Sequence, residues 1–488
     1  MHAEEFLDRH GLALNPFAAE DAVQDAVLKR AGDGWKHPDF AKILGDPGHA
    51  SPTVVFGDRG SGKTAIRLQM ERALAQWNDR RGTPKALVIE HDDLDGMLHA
   101  VIRHEGGRDA TAALESVRLS DHIDAVLHRV VPPLVDQALR APGADLLRVG
   151  NLRRALRKAP RSVRRDLLAL QAVYDHPSAA VRRTRRLRGA MAIGGSSGAG
   201  LAATWSVLLL GLGAVHALLG AGQPPKWSYL VPGALLLAGG AMLGWLWMLR
   251  TARVARVARR LSKCVRVLRR DGRGFRGSLH NLPLETVETG LPQDRGEDAR
   301  YAMLDRLLRV IEQVGYGSIV ILVDRVDEPA SVAGDPQRMK SLVWPLLSGR
   351  FLQHHGLAVK LLLPSELRDM ALRETGDFHR GARLDKQNTI EELHWSGAML
   401  AELCDARLQA AMRPGTKPLR VEDLFDPAVG RERLANELEH AGNPREAFRL
   451  VYAAIQEHLS HAGADQHRVS AGALEWVRRH RSALRRSS

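Results

Sequence analysis

Five short apolar runs set the frame of the chain. Residues 53–56, 86–91, 318–324 and 357–363 are nearly unbroken aliphatic segments of strand length, and 388–394 is a weaker fifth. Runs of this length, rich in Val, Ile and Leu, are what strands buried on both faces of a parallel sheet require. Between them the period changes to 3.6. In 65–77, Ile66, Met70, Ala73, Leu74 and Trp77 share one helical face, and 121–139, 152–173 and 446–459 also read as amphipathic helices. Gly272, Gly274, Gly277 and the turn 292–296 mark a loop returning from a helical insertion. The pattern predicts an α/β domain with a parallel sheet, split by a long helical insertion.

Two further stretches, 201–221 and 227–249, are apolar for longer than any core helix needs, and Lys226 is the only charged residue between Arg188 and Arg250. At roughly 1.5 Å per residue each reaches across about 30 Å of hydrocarbon. Gln223 to Lys226 supply a turn between them, and Trp227, Tyr229, Trp245 and Trp247 stand where interfacial aromatics belong. The small pairs Gly194/Gly198 and Gly240/Gly244 suit close helix packing within the hairpin or between protomers. His216, the one ionisable residue within a span, lies near its outer end and reads as a neutral interfacial group.

Charge sharpens this reading. The net charge is +14, but 152–188 hold 12 Lys/Arg against 2 Asp/Glu and 250–276 hold 11 against 1, a net +20 that leaves the rest near −6. The basic excess therefore flanks the apolar stretches, and nucleic acid is not an expected partner. Anionic lipid head groups are. The acidic N-terminus has no signal-peptide pattern, and Cys264 and Cys404 lack metal or disulfide spacing. The expectation is an inner-membrane protein with a two-helix transmembrane hairpin, both termini and the α/β domain being cytoplasmic.

The chemistry begins after the first strand. Gly57-Asp58-Arg59-Gly60-Ser61-Gly62-Lys63-Thr64 fills every fixed position of the Walker A pattern, in a strand–loop–helix context. Glycines let backbone N–H groups wrap a phosphate at a helix N-terminus. In that pattern Lys63 neutralises phosphate oxygens and Thr64 ligates Mg²⁺. The run 318–324 ends in Asp324, a second Mg²⁺ carboxylate, followed by Asp327 and Glu328, either of which suits polarisation of an attacking water.

Walker A, an apolar hairpin and then a Walker B strand, in that order, resemble the KAP-type P-loop NTPases of the AAA+/STAND assemblage. The string Asp324-Arg325-Val326-Asp327-Glu328 departs from the Asp-Asp-x-Asp-Arg usual there and looks more like the Asp-x-x-Asp-Glu of NACHT-type ATPases. Gly11 to Phe17 resembles a segment that lies near the adenine, which brings in Asn15, Pro16 and Phe17. Ser365, at a strand end, matches a γ-phosphate sensor, and it equally suits an N-cap. Gly442-Asn443-Pro444-Arg445 is similar to the sensor-2 region of a helical lid, with Arg445 reaching the γ-phosphate. Arg380 and Arg383 stand where an arginine finger arises.

The resemblance implies a P-loop NTPase fold with parallel sheet and helical lid, interrupted by the transmembrane hairpin. It divides the chain into an N-terminal segment (1–50), the first half of the nucleotide domain (51–114), a helical insertion (115–188), the hairpin (189–249), a basic juxtamembrane helix and return loop (250–300), the second half (301–398), and a lid with tail (399–488). It implies ATP and Mg²⁺ as ligands, a homo-oligomer, a further protein partner and slow hydrolysis in a signalling switch. A non-hydrolysing nucleotide-binding scaffold and a DNA-handling AAA+-type ATPase, the latter motivated by the basic tail 478–486, are the alternatives.

Overall fold

The computed structural model describes residues 3–484 except 194–206, 213, 216–217, 219–226, 462–466 and the isolated positions 33, 81, 108–109, 178 and 385–386. Along the chain come β1 (Thr53–Gly57), α1 (Lys63–Asn78) and β2 (Lys85–His91), then the helices α2 (Leu119–Leu139), α3 (Arg161–Tyr174), α4 (Ala180–Ala190), α5 (Trp227–Cys264), α6 (Gly272–Leu279) and α7 (Asp298–Glu312). The sheet resumes with β3 (Tyr316–Val323) and β4 (Leu357–Pro364), followed by α8 (Ser365–Leu372), β5 (Asn388–Ile390), α9 (Gly397–Ala411), α10 (Gly430–Ala441), α11 (Pro444–His461) and α12 (Ala471–Leu484). Two compact units result: Met1–Asp93 with Ser318–Ser488, and Leu94–Gly317.

In the first unit five strands form one sheet in the order β2-β3-β4-β1-β5, with β1 parallel to β4 and β5, and β3 parallel to β4. All five residues of β1 are buried, as are all eight of β4, which explains their unbroken apolar sequences. Ile66, Met70 and Leu74 of α1 pack on Val55, Val320, Leu322 and Leu362. The exception within β4 is Lys360. Its Nζ donates to the carbonyls of Ile43 (2.9 Å) and Leu44 (2.8 Å) and to Thr53 Oγ1 (3.1 Å), so it caps the last turn of the short helix Phe40–Leu44. Burial pushes its amine down to about 7. A second core joins α9, α10, α11 and α12 to the N-terminal segment through Phe6, Leu12 and Phe17. An antiparallel bridge pairs Leu12 with Met412.

The second unit is helical, and its interior is unusually ionic. Arg300 of α7 is fully buried, pairing with Asp124 of α2 (3.3 Å) and donating to the carbonyl of Cys264 (3.1 Å). Tyr174 of α3 donates to the other Asp124 oxygen at 2.7 Å. Arg266 at the end of the basic stretch is bound by Asp121, Glu105 and Ser116. Several arginines read from sequence as a basic flank are therefore core ties.

The expected transmembrane hairpin, and with it the two-helix inner-membrane localisation, is corrected by the structure. Among the described residues no helix is long and apolar enough to cross a membrane. Most of 201–221, His216 included, lies outside the described residues. The second stretch opens α5, a 38-residue helix that runs on without a break through Arg250, Arg253, Arg256, Arg259 and Arg260. Its basic half buries Val254, Val257, Ala258 and Leu261 in the helical unit, as an ordinary amphipathic helix does.

Candidate functional site

Because β1, β3 and β4 are parallel and in register, their C-terminal ends reach one edge of the sheet. Phe56 lies beside Leu363 and Val323 beside Leu361, so Gly57, Asp324 and Ser365 emerge together. That edge is where open parallel sheets carry their ligands. The loop leaving β1 turns back through Gly60 (φ +85°) and Gly62 (φ +93°) into the N-terminus of α1. A side chain at Gly60 is excluded twice over. Its φ is left-handed, and a Cβ would lie 2.8 Å from Cβ of Arg445 and 3.0 Å from Oδ1 of Asn443.

Lys63 Nζ folds over this loop and donates to the carbonyls of Gly57 (2.6 Å) and Asp58 (2.9 Å). Burial pulls the lysine below its ordinary pKa, while Asp324, Asp327, Glu366 and Asp58 pull it back up. Asp324 is itself buried, 1% exposed, and burial raises its pKa against a hydrogen bond from Thr64 and the charges of Arg67 and Lys63. Ser61 Oγ is buried without a hydrogen-bond partner, and Asp324 Oδ2 faces Arg67 Nε at 3.3 Å. Lys63 and Thr64 therefore both face Asp324.

Behind Asp324 lies a feature not anticipated from sequence. Arg67, one turn into α1 and 4% exposed at its side chain, stands 3.3 Å from Asp324 and also meets Glu71 (2.7 Å), Asp92 (3.5 Å) and Glu90 (3.7 Å). Burial, with Glu90 and Asp92 nearby, raises Glu71 to about 7. A carboxyl raised on folding favours the folded state most below its unfolded pKa of about 4.5, and this contribution is lost as pH rises through about 7. Glu71→Gln is accordingly expected to unfold at a higher temperature than wild type at pH 8, the two curves converging near pH 4.5. Melting by circular dichroism across that range checks it.

The remaining candidate residues divide. Asp327 is held by Arg59 of the loop at 3.0 Å. Arg325, with φ +59°, pairs with Asp21 (2.9 Å) and lies 3.5 Å from Glu328. Asp327, Glu328, Arg59 and Arg445 all line one cleft of about 700 Å³. Arg445 packs its backbone N–H on the Gly60 carbonyl and donates from Nη2 to the carbonyl of Glu20, both at 3.3 Å. Ser365 turns from the cleft and donates to Asp58. Asn15 caps its own turn through Phe17 N (3.0 Å), Pro16 offers its carbonyl to Arg407 (2.7 Å), and Phe17 is buried in the helical core. The cleft wall on that side begins only at Ala19.

The cleft's apolar end could not be assembled from sequence, because its residues come from four separate segments. Trp35 stacks on Trp395 (centroids 5.2 Å), and Trp395 Nε1 donates to the Ser61 carbonyl at 3.0 Å. Arg407 is fixed by Asp25 (2.6 Å) over the ring of Phe448 (4.5 Å), and its Nη2 is buried without a hydrogen-bond partner. Leu28 and Leu403 complete the wall. A flat aromatic-lined end joined to a phosphate-type loop is chemically suited to a ligand with a planar base and an anionic tail. Among the described residues no cluster of three or more His, Cys, Asp or Glu side chains is placed to hold a metal ion. Compared with known proteins, the chain matches no family model, no curated protein and no solved structure.

Proposed function

We propose that the first unit is a P-loop nucleotide-binding domain that takes Mg-ATP and hydrolyses it slowly, as a conformational switch. The observation that carries this reading is the convergence of Lys63, Thr64 and buried Asp324 at the glycine loop, opening into a cleft of about 700 Å³. The residues suit the ligands. Gly60 admits no side chain, and Ser61 Oγ is buried without a hydrogen-bond partner. Thr64 and Asp324 would hold Mg²⁺, which when bound screens the phosphate charge and draws electrons from the bond to be broken. Lys63 exchanges its loop carbonyls for phosphate oxygens. Arg445, on the helical side of the cleft, joins the phosphate to the first turn of α11. Asp327 or Glu328 takes the proton of the attacking water once its arginine is drawn away.

A second reading, a nucleotide-gated scaffold with no turnover, is favoured by one observation. Arg325 follows Asp324 directly and engages Glu328, while Arg59 engages Asp327, so both acids are paired with cations. Phosphate release by wild type, Glu328→Gln and Asp327→Asn separates the readings. The switch predicts Mg²⁺-dependent turnover that falls by about 10²-fold or more in one of the two variants with ATP binding retained. Tight binding with no turnover in wild type would favour the scaffold.

A further inference from the structure

The helical unit carries a surface that its own core does not explain. On α5, Leu237, Trp245, Trp247 and Met248 are respectively 77%, 58%, 69% and 49% exposed. Tryptophans are costly to leave in water, and monomeric proteins seldom cluster them there. Directly below Met248, α5 becomes basic, with Arg253, Arg256, Arg259 and Arg260 exposed. Exposed Arg182, Arg185 and Arg186 of α4 add a second basic row. Both α4 and α5 pack on α6, so the two rows belong to one body.

Near these rows lies an open hollow of about 460 Å³ lined by Arg185, Arg188, Gly189, Ala192, Ile193 and Asn281. Among the described residues its wall has no acid. Arg188 Nε donates to the Ile193 carbonyl (3.2 Å) and Asn281 to that of Gly277 (3.1 Å), which positions both side chains. On the α5 row Arg253 lies 3.3 Å from Glu288.

We propose that this surface docks, from one side and without crossing, on a bilayer rich in anionic phospholipid. The exposed Trp and Leu side chains would sit at the level of the head groups, and the arginine rows and the hollow would meet the phosphates. Tryptophan beside arginine is the pairing that an interface of this kind selects. Charge decides the occupant. A second copy of the chain would bring its own arginine rows against these, and like charges in apposition oppose pairing. An anionic surface gains from every arginine close to it.

Vesicle flotation with the full chain tests the proposal. Wild type is expected to float with vesicles of phosphatidylcholine containing about one-third phosphatidylglycerol, to leave pure phosphatidylcholine vesicles unbound, and to be released by about 0.5 M salt or alkaline carbonate. Arg182→Glu with Arg185→Glu should reduce binding about tenfold or more. Trp245→Ser with Trp247→Ser should also lose binding, together with the quenching of tryptophan fluorescence by brominated lipid. Unchanged circular dichroism identifies the variants that fold, and the salt and lipid dependence of wild type stands without them. Equal binding to neutral vesicles, no binding, or resistance to carbonate would overturn the proposal. So would a wild-type dimer, seen by light scattering, that the tryptophan variants dissociate, or displacement of the vesicles by nucleic acid at equal charge.

Discussion

Lys63→Ala is expected to lower the affinity for Mg-ATP by roughly a hundredfold, about 3 kcal/mol. The ammonium folds over the glycine loop, whose other cation, Arg59, is paired with Asp327, and charge-assisted bonds to phosphate are the strongest contacts the site can make. Stability without nucleotide should not fall. The lysine is desolvated, its pKa is depressed by burial, and its partners are two loop carbonyls, at 2.6 and 2.9 Å, of residues at the open edge of the sheet. Competition against a fluorescent ATP analogue measures the loss, and a melting curve run beside it shows whether the fold persists.

The second large effect is on the helical unit. Arg300→Leu leaves Asp124 fully buried with Tyr174 as its remaining hydrogen-bond donor in the ion-pair cluster, and it strips donors from the carbonyls of Cys264 and Gly296. Breaking a buried pair on one side costs about 3–5 kcal/mol. Removing both charges, as in Arg300→Leu with Asp124→Leu, should recover part of that loss, since the uncompensated carboxylate is then gone. Urea denaturation of the three proteins checks the order wild type, double variant, single variant.

The parallel strands and the phosphate-type loop were legible because each is written in consecutive residues. The run 318–324 is buried in the sheet, and Gly57 to Thr64 contains its own turn geometry. Three things were not legible. Side chains such as Trp35, Trp395, Arg407 and Phe448 meet only after the sheet and helices assemble, and no local pattern links them. Arg67 reads as a helix-surface charge, yet it lies behind Asp324 among four acids. The stretch 227–249 reads as a membrane span from its length and its flanking arginines, whereas the helix it opens continues for 38 residues into a basic, packed half, and among the described residues no helix is long and apolar enough to cross a membrane. Arg266 and Arg270, counted in the basic segment 250–276, make the same point in reverse. Composition marks them as a surface, and burial makes them core.

Calorimetric titration of the wild-type chain with ATP, with Mg²⁺ and then with it chelated, bears most directly on the nucleotide-binding reading. Saturable binding of one ATP per chain that weakens without Mg²⁺ and is absent in Lys63→Ala is the predicted result. Heats indistinguishable from dilution in a folded wild-type protein, or binding that Lys63→Ala leaves unchanged, would contradict it.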